Sequence, residues 1–268
     1  MTSLAYTLAD GAIVAKRNLI KIKRVPDLLV WTTMSPIMFI LLFGYVFGGS
    51  IDIPGSTYRE FLLAGVFVQT VVFGATFTGA SLADDMQKGI IDRFRSLPMA
   101  RSALLVGRTG SDILNNSISL VVMSATGLVV GWRVRTSIPE AIGGFLLLLL
   151  FSYAVSWIMA YVGLIIPSVE VVNNASFMIL FPLTFIANTF VPAQNLPPVL
   201  RTIAEWNPVS ALAQALREAF GNTGPATATG GVWPLEHPVI YTLVWVGIIL
   251  AVFIPLSVRR YQSATTRS

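Results

Sequence analysis

Few side chains in this sequence are suited to covalent or redox chemistry. The chain has no cysteine and a single histidine, His237, so thiol catalysis, thiolate metal sites and disulfides are excluded. The sequence also lacks a phosphate-binding loop of the form G-x-x-x-x-G-K-[S/T], because Lys88 and Gly89 stand in the wrong order for it. We therefore predict a protein that is not an enzyme and that holds no metal or cofactor of its own.

Polar and aromatic side chains within the apolar segments are the remaining candidates for a function. Helical spacing places most of them on two faces, one in the third apolar segment and one in the fifth. Together with Gln69 in the second segment, these residues are Asn116, Ser119, Met123, Asn173, Phe177, Phe181, Thr184 and Asn188. They predict a path for a bulky amphipathic cargo. Helix–helix contacts are the alternative for the first face, and packed or lipid-facing rings are the alternative for the second.

The elements that must position these residues are transmembrane helices. Of the 268 residues, 54% are hydrophobic and 12% are charged, whereas soluble proteins carry roughly 25% charged residues. Apolar windows of about 20 residues, the length that a spanning helix needs, recur along the chain between charged residues. We predict an all-α integral membrane protein with a single transmembrane domain, residues 1–268, and spans at 28–48, 59–82, 104–131, 140–164, 170–190 and 237–258.

The basic residues indicate how these spans are oriented. A net charge of +5 fits either nucleic acid or an anionic membrane surface, and the placement of the charges favours the membrane. Six spans put both termini on one side, and most of the 18 Lys and Arg residues fall on that side. The positive-inside rule then predicts cytoplasmic termini and a multi-pass protein of the cell (plasma or inner) membrane. No binding to nucleic acid is expected.

The N-terminal stretch is amphipathic and too polar to span. Residues 4–24 carry an apolar residue at every third or fourth position, and the opposite face includes Arg17, Lys21 and Arg24. This pattern predicts a helix that lies in the headgroup layer, where its basic side chains contact anionic lipid. A plain basic flank of the first span is the alternative.

Residues 84–97, which follow the second span, predict a short cytoplasmic helix. An apolar strip runs along one face, the spacing of Asp84 and Lys88 favours an ion pair, and Pro98 ends the helix. Such a surface suits docking to another protein, while a helix that rests on the membrane is the alternative. The candidate docking residues are Asp84, Asp85, Lys88, Asp92, Arg93, Phe94 and Arg95.

Residues 192–221 predict a helical hairpin on the outer side, ahead of the last span. The first helix starts near the Pro197–Pro198 pair, since proline suits the first turn. The second starts near Pro208 with Asn207 as its cap, and Gly221 ends it. Each helix is too short to cross about 30 Å of hydrocarbon at about 1.5 Å per residue. We therefore expect an interfacial or re-entrant hairpin.

Several stretches of the sequence form a recognisable combination. They are KIKRVPDLL with the following MSPIMFILLFGYVFGG, then YREFLLAGVFVQ, then GIIDRFRSLPMAR with Gly107–Arg108, and finally FVPAQNLPPVLRTIAEWNPVSALAQALR. Together they resemble the permease subunit of type-2 ABC exporters, most closely its daunorubicin/doxorubicin-resistance group. The resemblance covers nearly the whole chain, and the last two stretches are its most specific part.

The resemblance implies a transporter core of two six-span permease subunits, expected here to be a homodimer in contact with membrane lipids. Two ABC ATPase subunits bind underneath and hold ATP and Mg²⁺. In such exporters a cytoplasmic helix between the second and third spans docks on the ATPase, which here corresponds to residues 84–97. The helix at 4–24 also contacts the ATPase, and the hairpin at 192–221 caps the exit. The implied function is ATP-driven export of amphipathic drugs or lipids.

Other functions stay open at this point. A lipid, glycolipid or polysaccharide is the alternative cargo. A secondary transporter would need intramembrane carboxylates for ion coupling, and the candidates are Asp112 and Glu170, both near predicted span ends. We expect Asp112 one turn from Arg108 at the cytoplasmic end, because a charge at mid-membrane costs about 2.5–3.5 kcal/mol. A non-transporting membrane scaffold is a further alternative.

Overall fold

A computed structural model describes residues 26–48, 57–90, 103–166, 168–224 and 231–263. These residues form helices and short connections with no β-strand among them, which confirms the predicted all-α class. Two predicted features lie outside the described residues. They are the interfacial helix at 4–24, with Arg17, Lys21 and Arg24, and the later part of the cytoplasmic helix, with Asp92, Arg93, Phe94 and Arg95.

The described residues contain the following α-helices. In chain order they are α1 (Pro26–Leu42), α2 (Tyr58–Gly74), α3 (Thr76–Gln87), α4 (Ala103–Val130), α5 (Ile138–Ile165), α6 (Val169–Phe185), α7 (Pro198–Glu205), α8 (Pro208–Phe220), α9 (Trp233–Glu236) and α10 (Pro238–Ser263). A π-helical turn, Phe43–Phe47, extends α1. A single 3₁₀ turn, Ala193–Asn195, precedes α7.

Four helical stretches in the described part of the chain are long and apolar enough to cross a membrane. They are Tyr58–Gln87, which joins α2 and α3, together with Leu104–Val130, Ile138–Ile165 and Pro238–Ser263. They contain 30, 27, 28 and 26 residues, and a rise of about 1.5 Å per residue makes each longer than about 30 Å of hydrocarbon. The helices at Met34–Val46 and Val169–Phe185 are apolar but shorter.

The boundary after the second predicted span differs from the sequence interpretation. We predicted a span that ends at residue 82 and a separate helix from residue 84, but α3 continues through Asp84 and Asp85 to Gln87. The helical conformation is interrupted at Gly89, whose φ of +63° is a left-handed conformation that suits glycine. No residue between 82 and 87 disfavours a helix, so the first turn of the predicted cytoplasmic helix is the end of α3.

Helix α5 occupies the centre of the bundle and packs against α3, α4, α8 and α10. It approaches α3 closely, because a Cβ added at Gly163 would overlap the main-chain carbonyl of Gly79. A Cβ added at Gly74 would likewise press on the Asn116 side chain of α4. Gly74 and Gly79 therefore permit close helix packing.

The capping signals of the two short helices before α9 are also confirmed. Helix α7 begins with Pro198 in its first turn. In α8, the backbone N–H of Val209 donates to Asn207 Oδ1 at 2.9 Å, and Gly221 follows the last turn with φ +68°.

An edge-to-face cluster of rings holds α8 against α2 and the loop after α4. Its members are Phe67, Trp132 and Phe220.

Candidate functional site

The end of the bundle where α3 stops and α4 starts, called here the α3–α4 end, carries two neighbouring carboxylates in contrasting settings. Asp84 is partly exposed and pairs with Lys88 at 2.7 Å between Oδ2 and Nζ, as the four-residue spacing predicts. Asp85 points into the bundle, and its Oδ2 accepts from Nη2 of Arg108 at 2.6 Å. Of the predicted docking residues within the described part, Asp84 and Lys88 thus lie on the surface and Asp85 does not.

Buried polar groups continue from this ion pair along the interface of α3, α4 and α5. One turn beyond Arg108 on α4, the Asp112 carboxylate lies beside the Ser156 hydroxyl of α5 and within electrostatic reach of Arg108. One turn further, Asn116 Nδ2 donates to Ser152 Oγ at 2.6 Å. We call this series the polar seam, and its members are Asp85, Arg108, Asp112, Asn116, Ser152 and Ser156. All of them are buried.

The path residues predicted on the second and third spans lie inside the helix bundle of this one chain. Gln69 is 7% exposed, Ser119 9% and Met123 0%. Asn116 is also buried, and its bond to Ser152 joins α4 to α5. These contacts support the helix–helix alternative for this face.

The path residues predicted on the fifth span divide into two groups. Asn173, Phe177 and Phe181 are exposed on α6, with Phe177 58% and Phe181 37% exposed. Thr184 is buried, and its hydroxyl donates to the Leu180 carbonyl at 2.8 Å. Asn188 is also buried, in the turn that follows α6, where its backbone N–H donates to Ser210 Oγ of α8 at 2.8 Å.

Phenylalanines connect this face of α6 with α1. Ring centroids are 5.0 Å apart for Phe177 and Phe181, 4.0 Å for Phe181 and Phe185, and 4.8 Å for Phe185 and Phe190. From Phe190 the contacts continue to Phe43 at 5.0 Å, and Phe39 follows at 5.6 Å from Phe43. We call these six residues the aromatic row. Its exposed end on α6 gives a planar or apolar molecule a surface for stacking.

The opposite end of the bundle, called here the α8 end, is closed around a second buried arginine. Arg217 of α8 is 0% exposed. Its Nε donates to the Phe61 carbonyl at 3.2 Å and its Nη2 to the Asn188 carbonyl at 2.7 Å. The guanidinium also lies 3.7 Å from the centre of the Phe61 ring. Burial lowers the pKa of Arg217 to about 9, so the group stays charged at neutral pH.

Further bonds tie the C-terminal turn of α8 to the loop between α4 and α5. The Trp132 indole Nε1 donates to Asn222 Oδ1 at 2.7 Å, and Asn222 Nδ2 donates to the Arg133 carbonyl at 2.9 Å. The backbone N–H of Arg135 donates to the Phe220 carbonyl at 2.9 Å. The α8 end is therefore held by many main-chain contacts.

The sequence interpretation missed Arg108 and Arg217 as individual sites. Both count among the 18 basic residues whose distribution orients the spans, and Arg108 also stands one turn from Asp112. For Arg108 a usable signal was present, since an arginine inside an apolar helix needs a partner. Arg108 has Asp112 four residues later, whereas no local residue reveals the partners of Arg217, which come from α2 and from the turn after α6.

Comparisons with known proteins agree with this architecture. The family model described as ABC-2 type transporter matches residues 11–220. The chain is 34% identical over 247 residues to the daunorubicin resistance ABC transporter permease protein DrrB1 of Streptomyces coeruleorubidus, which covers 92% of this chain and 84% of that protein. It is also 26% identical over 238 residues to the doxorubicin resistance ABC transporter permease protein DrrB of Mycobacterium tuberculosis, covering 84% of this chain and 82% of that protein.

Proposed function

The chain belongs to the ABC-2 type transporter family as a permease subunit, and from this premise we propose that it exports amphipathic drugs with energy supplied by a separate ABC ATPase. The names of its relatives refer to daunorubicin and doxorubicin resistance, which suggests a cargo with a flat apolar part. The observation that carries the proposal is the aromatic row, because stacked rings exposed on α6 suit such a molecule.

The exposed rings also suit the apolar part of a lipid, which is the alternative cargo. A lipid would reach α6 from the bilayer, and Met178 and Ile179 are exposed apolar side chains on that helix. Competition between the two cargo classes tests whether they share this site.

The ATPase partner, in two copies, docks at residues 84–97 and near the helix at 4–24. The surface pair Asp84–Lys88 supports this placement, because both charges are accessible next to the break at Gly89. The ATPase binds ATP and Mg²⁺, and the permease contributes the moving spans.

Six spans, with α1 and α6 as the two additional ones, complete the proposed topology. Helix α1 and its π-helical turn run without a break from Pro26 to Phe47, which is about 33 Å at 1.5 Å per residue. Helix α6 has 17 residues, or about 26 Å, within a few ångströms of the hydrocarbon thickness. Both termini then face the cytoplasm of a cell-membrane protein.

A second copy of the permease completes the transporter, and the apolar surfaces of α1 and α6 support this arrangement. Met34, Met38, Phe177 and Met178 are exposed on these two helices. Two copies that meet along α1 and α6 would bring two aromatic rows to a shared path.

The decisive test is transport by the reconstituted pair of subunits. The permease is co-purified with the ABC ATPase that binds it, and both are placed in proteoliposomes with the ATPase outside. We expect ATP-dependent movement of doxorubicin into the vesicles and competition by a fluorescent short-chain phospholipid if the cargo classes share the row. Uptake that persists without the ATPase, or with a non-hydrolysable ATP analogue, would overturn the proposal.

The native absence of cysteine allows a direct topology test. Single replacements Ser137→Cys and Ser268→Cys are made in the proposed outer loop and at the C-terminus. In intact cells, a membrane-impermeant maleimide should label the first and not the second. Labelling of Ser268→Cys in intact cells would refute cytoplasmic termini.

A further inference from the structure

The ion pair between Asp85 and Arg108 joins the end of α3 to the start of α4. The two residues are 23 positions apart, and their side chains are 7% and 10% exposed. Nη2 of Arg108 also donates to the Ser81 carbonyl of α3 at 3.3 Å. In this arrangement, Arg108 fastens the start of α4 to the end of α3.

A buried arginine cannot leave such a partner without finding another. Removing one member of a buried ion pair is strongly destabilising, because the remaining charge is desolvated without compensation. Any movement that separates α3 from α4 therefore requires a second acceptor for Arg108 within reach.

Asp112 meets this requirement. It lies four residues after Arg108 on the same helix, where side chains are neighbours, and it is 6% exposed. Its carboxylate is within electrostatic reach of Arg108. Its Oδ2 atom accepts no hydrogen bond from the described residues, although it is buried. A buried carboxylate oxygen with no donor calls for an explanation.

The two possible pairs have different consequences for the helices. A pair with Asp85 links α3 to α4, whereas a pair with Asp112 lies within α4 alone. Exchange between them therefore fastens or releases α3 without leaving the arginine unpaired. A two-state element of this kind is what a coupled conformational change needs.

We propose that Arg108 is a positioning residue that changes its carboxylate partner from Asp85 to Asp112 during each transport cycle. This inference rests on the proposed function, in which the ATPase docks on the segment that follows α3. Movement of that segment pulls α3, Arg108 transfers to Asp112, and α4 becomes free to change its packing. Ser156 of α5 lies beside the receiving carboxylate, so the change also reaches the central helix.

The test compares neutral replacements of the two carboxylates in the complete complex with its ATPase in nanodiscs and proteoliposomes. Asp85→Asn leaves Asp112 as the acceptor and keeps α3 released. ATP hydrolysis should persist, while export per ATP falls by about tenfold, the factor that corresponds to about 1.4 kcal/mol. Asp112→Asn keeps α3 fastened, so hydrolysis and export should fall together by about tenfold.

Two further variants control for folding and for charge. Glu236→Gln removes an exposed carboxylate near α10 and should behave like the unaltered complex. Asp112→Glu retains a second carboxylate and should restore both hydrolysis and export towards the unaltered values. Each variant is first checked for binding to the ATPase by size-exclusion chromatography.

The outcomes separate this inference from the proposed function. An unaltered complex that neither hydrolyses ATP nor exports drug contradicts the proposed function. An active complex in which Asp112→Asn works normally contradicts the exchange, because a static Asp85–Arg108 pair does not need Asp112. If Asp112→Asn fails to assemble and Asp112→Glu assembles without activity, a role in folding replaces the exchange.

Discussion

The two ends of the bundle each bury an arginine, and they satisfy it in different ways. At the α3–α4 end, Arg108 pairs with the Asp85 carboxylate and lies near the Asp112 carboxylate. At the α8 end, Arg217 donates to main-chain carbonyls of Phe61 and Asn188 and stacks on a ring. Arg108 therefore faces carboxylate side chains that can rotate, in addition to the Ser81 carbonyl, whereas the acceptors of Arg217 are backbone carbonyls.

This difference indicates which end of the bundle can change its packing at a low cost in free energy. Carbonyls of α2 and of the turn after α6 are fixed by their own segments, so displacing Arg217 would require those segments to separate. A Cβ at Gly65 would overlap the Thr189 main chain, which shows how closely α2 and that turn approach. We therefore interpret the α8 end as a fixed closure and the α3–α4 end as an adjustable one.

The largest expected effect tests the fixed closure. Replacing Arg217 with Ala removes hydrogen bonds to carbonyls and leaves a cavity, which should lower the free energy of unfolding by about 4 kcal/mol. The measurement is unfolding in mixed micelles titrated with a denaturing detergent. Arg201→Ala on the neighbouring α7 is the control, since Arg201 is 42% exposed and pairs with Glu205 within one helix. Equal losses in the two variants would contradict a special role for Arg217.

The next largest effect tests the adjustable end by non-additivity. Asp85→Asn or Asp112→Asn alone leaves Arg108 one of these two carboxylates, so each should lower the free energy of unfolding by about 1 kcal/mol. The double replacement removes both carboxylates beside the buried Arg108 charge and should cost about 3–5 kcal/mol, more than the two single losses together. Simple additivity in this double-mutant cycle would argue against a shared arginine.

The same contrast explains what could be predicted from the sequence. The pair Asp84–Lys88, the Asn207 cap and the stop at Gly221 depend on residues within four positions, and the structure confirms them. The sequence also predicts Asp85 as a docking residue with Lys88, but the structure turns it inward. A single sequence cannot show which face of a helix meets its neighbour when both faces carry charge.

Long-range partners were out of reach for a related reason. Arg217 and Phe61 are 156 positions apart, and Arg108 and Asp85 are brought together only by the packing of α3 on α4. The aromatic row likewise needs α1 beside the turn after α6. Periodicity identified Phe177 and Phe181 within one helix, while Phe39, Phe43 and Phe190 became candidates through tertiary contacts.

A smaller effect concerns the row that runs from the fixed closure along α6. Phe190 is held at the closure, where the Tyr58 hydroxyl donates to its carbonyl at 3.1 Å. Phe181→Ala removes the ring that lies between Phe177 and Phe185. Each stacking contact between aromatic rings is worth about 1 kcal/mol. We expect the KM for doxorubicin export to rise by about fivefold. Leu243→Ala is the control, since Leu243 is an apolar side chain that is 45% exposed on α10, away from the row. An unchanged KM with Phe181→Ala would leave the row with a packing role.

The smallest effect on stability distinguishes folding from partner binding at the adjustable end. Lys88→Ala breaks an exposed pair four residues apart and should lower the free energy of unfolding by at most about 0.5 kcal/mol. Its charge is accessible beside the proposed ATPase contact, so the affinity for the ATPase should fall by about threefold, and more at low salt. Arg201→Ala breaks a pair of the same spacing at the opposite end and should leave that affinity unchanged. If both variants bind the ATPase like the unaltered permease, the Asp84–Lys88 pair takes no part in docking. Movement of the ATPase must then be transmitted to the spans through residues beyond Gly89.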